Sequence, residues 1–325
     1  MAGPEPSAGE GVAIKRSAPA ATQVETRDLL LYALVLFCWG TGWLPIHFQL
    51  GVVAPEVTLF YRIGISAVLL FAWLYLSGRL RRFPIRDHLT FLMLGVCLFG
   101  VNYLSVYYAG GYLATGVIAV VFSTASVMNL ALSALVARIL PPLRVAAGAL
   151  IGIIGIALVF SREFADAASR DEVLIGLLLA LFATFSFSCG NMLSARAQSR
   201  SLPVLNTNAY GMLYSTVLMF ILALTTGKPF NWDPDPLYAV ALGWHVVFST
   251  VVAFAAYLTL VGRIGPGRAG YATVVFPVIA LLLSALFEGY QFHAIAFVGL
   301  LCVMIGNVLV LGGRRRIHVP PPARS

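Results

Sequence analysis

Arg62 is the strong charge set well inside an apolar run, seven residues past the start of the run at 55–77. An ionised side chain at that depth in a membrane costs several kcal/mol unless it is paired or wetted. Two roles fit it. It binds an anionic group of a solute, or it ties helices together through backbone carbonyls or through Glu56, one and a half turns away. His47 and His245 also lie within apolar runs, and histidine titrates near neutral pH, so both are candidates to carry a proton. His245 is the deeper of the two. Glu56 and Glu288 sit at run ends, where a carboxylate reaches water, and Glu288 is the better coupling candidate of that pair.

A second group of residues suits a solute cavity. Trp39 and Trp43 stand one helical turn apart, and Asn102, Tyr103, Ser123, Asn191, Trp244 and Ser249 add small polar and aromatic groups from other runs. Sites for small molecules are mostly apolar and aromatic with a few placed polar groups. The same Asn and Ser residues would also serve simply to bond helices to one another. No GxSxG, HExxH or P-loop pattern occurs, and Gly265-Pro266-Gly267 reads as a tight turn. Cys38, Cys97, Cys189 and Cys302 all fall in apolar runs, with no two at metal-ligand spacing. Neither a metal nor a cofactor is expected.

The elements that position these residues follow from composition. The chain is 60% hydrophobic and 10% charged, with a mean hydropathy of +0.90. Soluble chains carry about 25% charged residues, too many more for this surface to face water. Ten continuous apolar runs appear, at 29–50, 55–77, 88–109, 112–137, 141–161, 173–195, 204–226, 237–261, 266–287 and 290–312. Continuous runs of this length indicate membrane helices rather than the shorter alternating strands of a barrel. The expected fold class is therefore an all-α integral membrane protein of ten transmembrane helices, lodged in the lipid bilayer. Residues 1–28 and 313–325 read as a disordered tail and a basic tail.

Lysine and arginine set the orientation. With both termini cytoplasmic, Arg162, Arg170 and Lys228 of the 21 basic residues fall outside, Arg62 falls within a span, and the other seventeen fall inside. The net charge of +8 is thus a topology signal, and no nucleic-acid partner is expected. A shift of 151 positions lays Leu132-Ser133-Ala134-Leu135 on Leu283-Ser284-Ala285-Leu286, and Gly116, Gly148 and Gly155 on Gly267, Gly299 and Gly306. Such self-similarity marks an internal duplication. An offset pairing runs 4 and 5 with 9 and 10 makes each unit five spans, 29–161 and 173–312. An odd number of spans inverts the second copy, which is the architecture of many secondary transporters.

With Trp39-Gly40, Phe60-Tyr61-Arg62, Gly148-Ala149-Leu150-Ile151-Gly152, Pro277 and Glu288 in this order, residues 29–312 resemble the EamA branch of the drug/metabolite transporter superfamily. The first copy departs from the pattern, with Ser126 opposite Pro277 and Ala137 opposite Glu288. The resemblance implies a transporter, mostly an exporter, of a small metabolite or amino acid, driven by proton or substrate exchange in a bacterial inner membrane. Two other classes are alternatives: a membrane-embedded enzyme acting on a lipid-linked substrate, with Arg62 and Glu56 as its polar pair, and a ligand-sensing receptor, disfavoured by the absence of an output domain. Association into a homodimer is left open. The orientation predicts that single cysteines placed at 227–236 react with a membrane-impermeant thiol reagent in intact cells. Reaction near Arg82 or Arg144 instead would reverse it.

Overall fold

The computed structural model describes residues 25–138, 140, 142–161, 170–253, 256–257, 259–260, 272–291 and 293–312. Among them the chain is helical, with no β-strand. Hydrocarbon offers a backbone N–H or C=O no partner, so the chain crosses it only where it satisfies its own hydrogen bonds. In chain order the apolar helical segments are α1 (Thr26–His47), α2 (Pro55–Leu76), α3 (Ile85–Gly110), α4 (Thr115–Val136), α5 (Leu143–Val159), α6 (Arg170–Ser199), α7 (Val204–Thr225), α8 (Pro236–Val252), α9 (Val274–Phe287) and α10 (Ala294–Leu311). Seven are long and apolar enough to cross a membrane; α5, α8 and α9 are shorter. The expected tails and the loop after Phe160 fall largely on residues 1–24, 162–169 and 313–325, outside the described residues, as does part of the eighth and ninth runs at 261–271.

Local chemistry sets the helix ends. The first helix begins at Thr26, inside the segment expected as tail, because Glu25 and Asp28 form a reciprocal cap on its N-terminus. Proline opens α2 at Pro55 and α8 at Pro236, where its missing N–H costs nothing. Beyond the C-termini of α2 and α7, Gly78 and Gly227 both take φ +66°. That left-handed turn returns the N–H of Arg79 to Leu74 and that of Lys228 to Ala223, each at 2.8 Å.

Four of the described helices depart from regular α geometry. The first is interrupted at Gly42 and Trp43, which frees the Gly42 carbonyl from the helix ladder. In α3 the stretch Gly95–Val101 winds as a π-helix, and in α8 so does His245–Val252. Shifting the first π stretch by 151 positions lands on residues 246–252, within the second. The fourth helix breaks at Ser123 and Thr124, whose hydroxyls bond back to Val120 at 2.7 Å and Val121 at 2.6 Å. The ninth helix carries Pro277 within it instead.

Packing turns on close glycine contacts. α5 lies along α10. A Cβ on Gly148 would come within 2.7 Å of the Gly306 carbonyl oxygen, and one on Gly155 within 2.6 Å of the Gly299 oxygen. The reverse holds as well: a Cβ on Gly306 would meet the Gly148 oxygen at 2.5 Å, and one on Gly299 the Gly155 oxygen at 2.6 Å. The rising numbers of one helix meet the falling numbers of the other, so the pair is antiparallel. The 151-residue shift carries each of these two contacts onto the other. Elsewhere α2 packs on α7, α3 on α6 and α7, and α9 on α1 and α4. The outward faces carry exposed apolar side chains such as Val68, Ile153, Leu224 and Phe297, as a hydrocarbon surround requires.

Small-to-large substitution in tight packing costs about 1–3 kcal/mol. Gly155→Leu should therefore lower the thermal unfolding midpoint of the purified protein, because its neighbour is backbone and cannot give way. Gly152→Ala, whose Cβ would meet nothing within 4 Å, should leave the midpoint nearly unchanged. Equal midpoints for the two variants would show that the crossing is not close.

Candidate functional site

Arg62 lies in the middle of α2, 5% exposed. Its guanidinium stands over the ring of Tyr103, 4.3 Å from the centroid, and Nη1 donates to the Tyr107 hydroxyl at 3.3 Å. Both tyrosines come from α3, one helical turn apart and so on one face. The expected Arg62–Glu56 pairing is not formed. Glu56 is itself buried and accepts from the Tyr108 hydroxyl at 2.6 Å. It therefore does not take the water-facing place its position at a run end suggests.

From Tyr107 the polar contacts continue across the bundle. The Tyr107 hydroxyl donates to Oε1 of Gln49, which follows α1. The same oxygen lies 3.1 Å from Nδ1 of His245, and the other ring nitrogen, Nε2, lies 2.8 Å from the carbonyl oxygen freed at Gly42. Gly42 has no side chain for good reason: a Cβ there would sit 2.7 Å from the Ser249 hydroxyl. Arg62, Tyr107, Gln49 and His245 thus form one buried chain of contacts linking α2, α3, the end of α1 and α8. Beside it is a cavity of about 10 Å³ lined by Arg62, Ile63, Ser66, Phe99, Tyr103, Met212 and Thr250. That is room for about one water molecule, whereas small-molecule sites need roughly 300 Å³ or more. A larger recess of about 390 Å³ lies at the ends of α2 and α7, between Arg79, Arg81 and Asn206, away from the network.

The other candidates divide. Trp39 donates from its indole N–H to the Ser249 carbonyl at 3.3 Å and packs on Tyr257, while the Ser249 hydroxyl bonds the Cys38 carbonyl at 3.4 Å. These two meet at the α1–α8 seam, next to His245. Trp43 is part of an aromatic cluster with Phe122 and Phe276. Trp244 packs on Phe37 and Phe248, both exposed on the outward face, and so is turned from the network. Asn102 donates to Leu98 of its own helix at 3.0 Å, and its Oδ1 is buried with no partner among the described residues. Ser123 accepts from Asn307 at 3.2 Å, and Asn191 donates to Asn129 at 3.4 Å; both bridge helices. His47 is exposed, edge-on to Phe48.

Glu288 does something its sequence position does not suggest. It accepts the Thr115 backbone N–H at 2.7 Å and, through its other oxygen, the Thr115 hydroxyl. Ser284 accepts the next N–H, of Gly116, at 2.7 Å. The end of α9 therefore caps the N-terminus of α4, placing a carboxylate where the helix dipole is positive. Gln49 was not singled out from the sequence. The available signal was an uncharged polar residue in an apolar run, two positions after a histidine that drew the attention instead.

Taken together, these features define a polytopic helical membrane protein with an ionisable network enclosed where its helices converge. The model of the EamA-like transporter family matches the chain twice, over residues 27–161 and 174–312. The chain belongs to the EamA-like transporter family, which is one of transporters and not of enzymes. The inner membrane transporter YedA of Escherichia coli (strain K12) is 26% identical over 293 residues, covering 90% of this chain and 92% of its own. The transporter YoaV of Bacillus subtilis (strain 168) is 21% identical over 277 residues, covering 84% and 92%. A probable amino-acid metabolite efflux pump of Escherichia coli (strain K12) is 24% identical over 160 residues, covering 46% and 54%. One solved crystal structure, 17% identical, covers 89% of this chain and 99% of its own with a TM-score of 0.61, a likeness of fold.

Hydrogen bonds to a charged group contribute about 1.5–3 kcal/mol. Glu288→Ala should therefore lower the unfolding midpoint measurably, and Glu288→Gln by less, since an amide oxygen still accepts one of the two bonds. A midpoint unchanged in Glu288→Ala would remove the capping role.

Proposed function

We propose that this protein is a ten-span secondary transporter made of two inverted five-helix units, 29–161 and 173–312, that moves a small metabolite or amino acid by alternating access. Both termini are cytoplasmic on this reading, the membrane is a bacterial inner membrane, and the net direction is outward. The observation that carries it is the double family match together with the antiparallel glycine crossing of α5 and α10, whose contacts the 151-residue shift exchanges. Two halves related in this way can rock about their common seam and open a central site to either side. The names of the relatives support transport, an inner membrane, and, for one of them, efflux of amino-acid metabolites.

The buried network supports a site at the convergence of α1, α2, α3 and α8. Arg62 has no carboxylate partner among the described residues, so its remaining donors suit an anionic group on the solute. His245 is the proton carrier on this reading, and Trp39 and Ser249, beside it, belong to the solute path. Of the other sequence candidates, Trp43, Asn102, Tyr103, Ser123, Asn191 and Trp244, Tyr103 has the support of direct contact with Arg62. Glu288, occupied as a helix cap, and His47, at the exposed end of α1, are weaker choices for coupling. No nucleotide-binding pattern is found in the sequence, so an ion gradient or substrate exchange supplies the drive.

The test is uptake by proteoliposomes of a panel of labelled amino acids and metabolites, with and without a pH gradient. An active substrate should accumulate with the gradient in wild type. In His245→Gln, which keeps size and hydrogen bonding but not titration, accumulation should fall to the level of protein-free liposomes while exchange at equal pH survives. A variant that still concentrates substrate as wild type does would remove His245 from coupling, and a panel with no transported compound would count against a transporter of this substrate class.

A further inference from the structure

The contacts of Gln49 contain a conflict that either a proton on His245 or a reversal of the Gln49 amide resolves. The Gly42 carbonyl accepts and never donates, so the His245 Nε2 that faces it at 2.8 Å carries a hydrogen. Nδ1 faces the amide oxygen of Gln49 at 3.1 Å, and that oxygen too can only accept. A neutral imidazole would set its bare Nδ1 against this oxygen, lone pair to lone pair. Meanwhile Nε2 of Gln49 is buried with no partner among the described residues.

Two arrangements remove the conflict. In the first, His245 is an imidazolium and donates from both nitrogens; the Gln49 oxygen accepts from it and from Tyr107. In the second, His245 is neutral and the Gln49 amide has turned over. Its NH2 group then donates to Nδ1 and to the Tyr107 oxygen, and Oε1 takes the place of the unpartnered nitrogen. Tyr107 now accepts from both Gln49 and Arg62, and its own hydrogen is released. Each protonation state of His245 admits one orientation of the amide, and each orientation fixes whether Tyr107 donates to Gln49 or accepts from it.

We propose that Gln49 is a positioning residue that carries the protonation state of His245 to the Tyr107 hydroxyl, and through it to Arg62, by reversing its amide. The proposal rests on the proton-coupled reading of His245 given above. The charged and titratable groups around the imidazole are Arg62 from α2 and, beyond Gln49, Tyr107 from α3. Among the described residues, α1 and its following turn contribute Gln49 and the Gly42 carbonyl, and His47 is exposed. The α2 carboxylate, Glu56, is held by Tyr108. Solute binding at Arg62 would therefore meet a different hydrogen-bond partner in each protonation state.

Infrared pH-difference spectra of the full-length protein in lipid nanodiscs read this directly, with no substrate required. Wild type should show a histidine band lost in His245→Gln, and with it a tyrosine band lost in Tyr107→Phe. Gln49→Leu should keep the histidine band and lose the tyrosine band. In Gln49→Glu at pH values where the carboxylate is ionised, both oxygens can only accept, so the tyrosine signal should stay fixed in its donating form. Thermal unfolding of each variant confirms that it is folded, and wild type alone already gives a decisive result. A His245 that titrates with no Tyr107 response overturns the amide reversal and leaves the proton reading standing. A His245 that never titrates in the folded protein overturns both. A tyrosine band that persists in Gln49→Leu shows that the coupling bypasses Gln49.

Discussion

Hydrocarbon neither donates nor accepts hydrogen bonds, and the whole arrangement depends on that. It forces the backbone into helices, and it turns every departure from a helix into a local problem with a local partner. Where α1 breaks, the carbonyl freed at Gly42 is taken by His245. Where α4 begins, the first two amides find Glu288 and Ser284 of α9. Where α4 bends, Ser123 and Thr124 bond back to their own helix. The polar groups that connect the helices are thus largely the means by which irregular backbone is made tolerable in lipid. The Arg62 network goes beyond this, because it joins side chains whose contacts no helix requires.

Lipid also removes the usual incentive for helices to associate, since a leucine side chain is as content among acyl chains as against another helix. Close approach of backbones has to supply the attraction, which is why α5 and α10 meet through glycines and not through large side chains. Dispersion falls off steeply with distance, so a few tenths of an ångström at Gly148 and Gly306 matter more than added bulk elsewhere.

The helices were legible in the sequence because their signal, sustained hydropathy, is local and strong. The family was legible from the order of diffuse motifs. The site was legible only in part. Arg62 and His245 announced themselves as ionisable groups at depth, and both are buried in one network. What they touch depends on helix rotation and on breaks that hydropathy does not encode. Gln49 and Tyr107 join them across the bundle from positions 58 residues apart, and no spacing rule connects those numbers. Trp244 misleads for the same reason: it neighbours His245 in sequence but points toward Phe37 and Phe248, since successive residues on a helix face different ways. Glu288 was read as an interfacial carboxylate because its true partner, the start of α4, is 173 residues away.

The paired π stretches in α3 and α8 have a historical consequence. A π stretch is a rare departure from the α-helical repeat, and the same departure at matching places in two helices is most simply inherited from one ancestral unit. Under the proposed duplication, the π geometry is then older than the doubling of the gene, and the chemistry is younger. The position that holds His245 in the second half holds Leu94 in the first, buried and apolar, and Arg62, under the 149-residue offset that lays Gly78 on Gly227, is answered by Gly211, which has no side chain. An ancestor of one unit, pairing with an inverted copy of itself, would have had two equal faces and no preferred direction. On the proposed reading, divergence after fusion would let one half titrate and the other not, giving a symmetric frame a polarity.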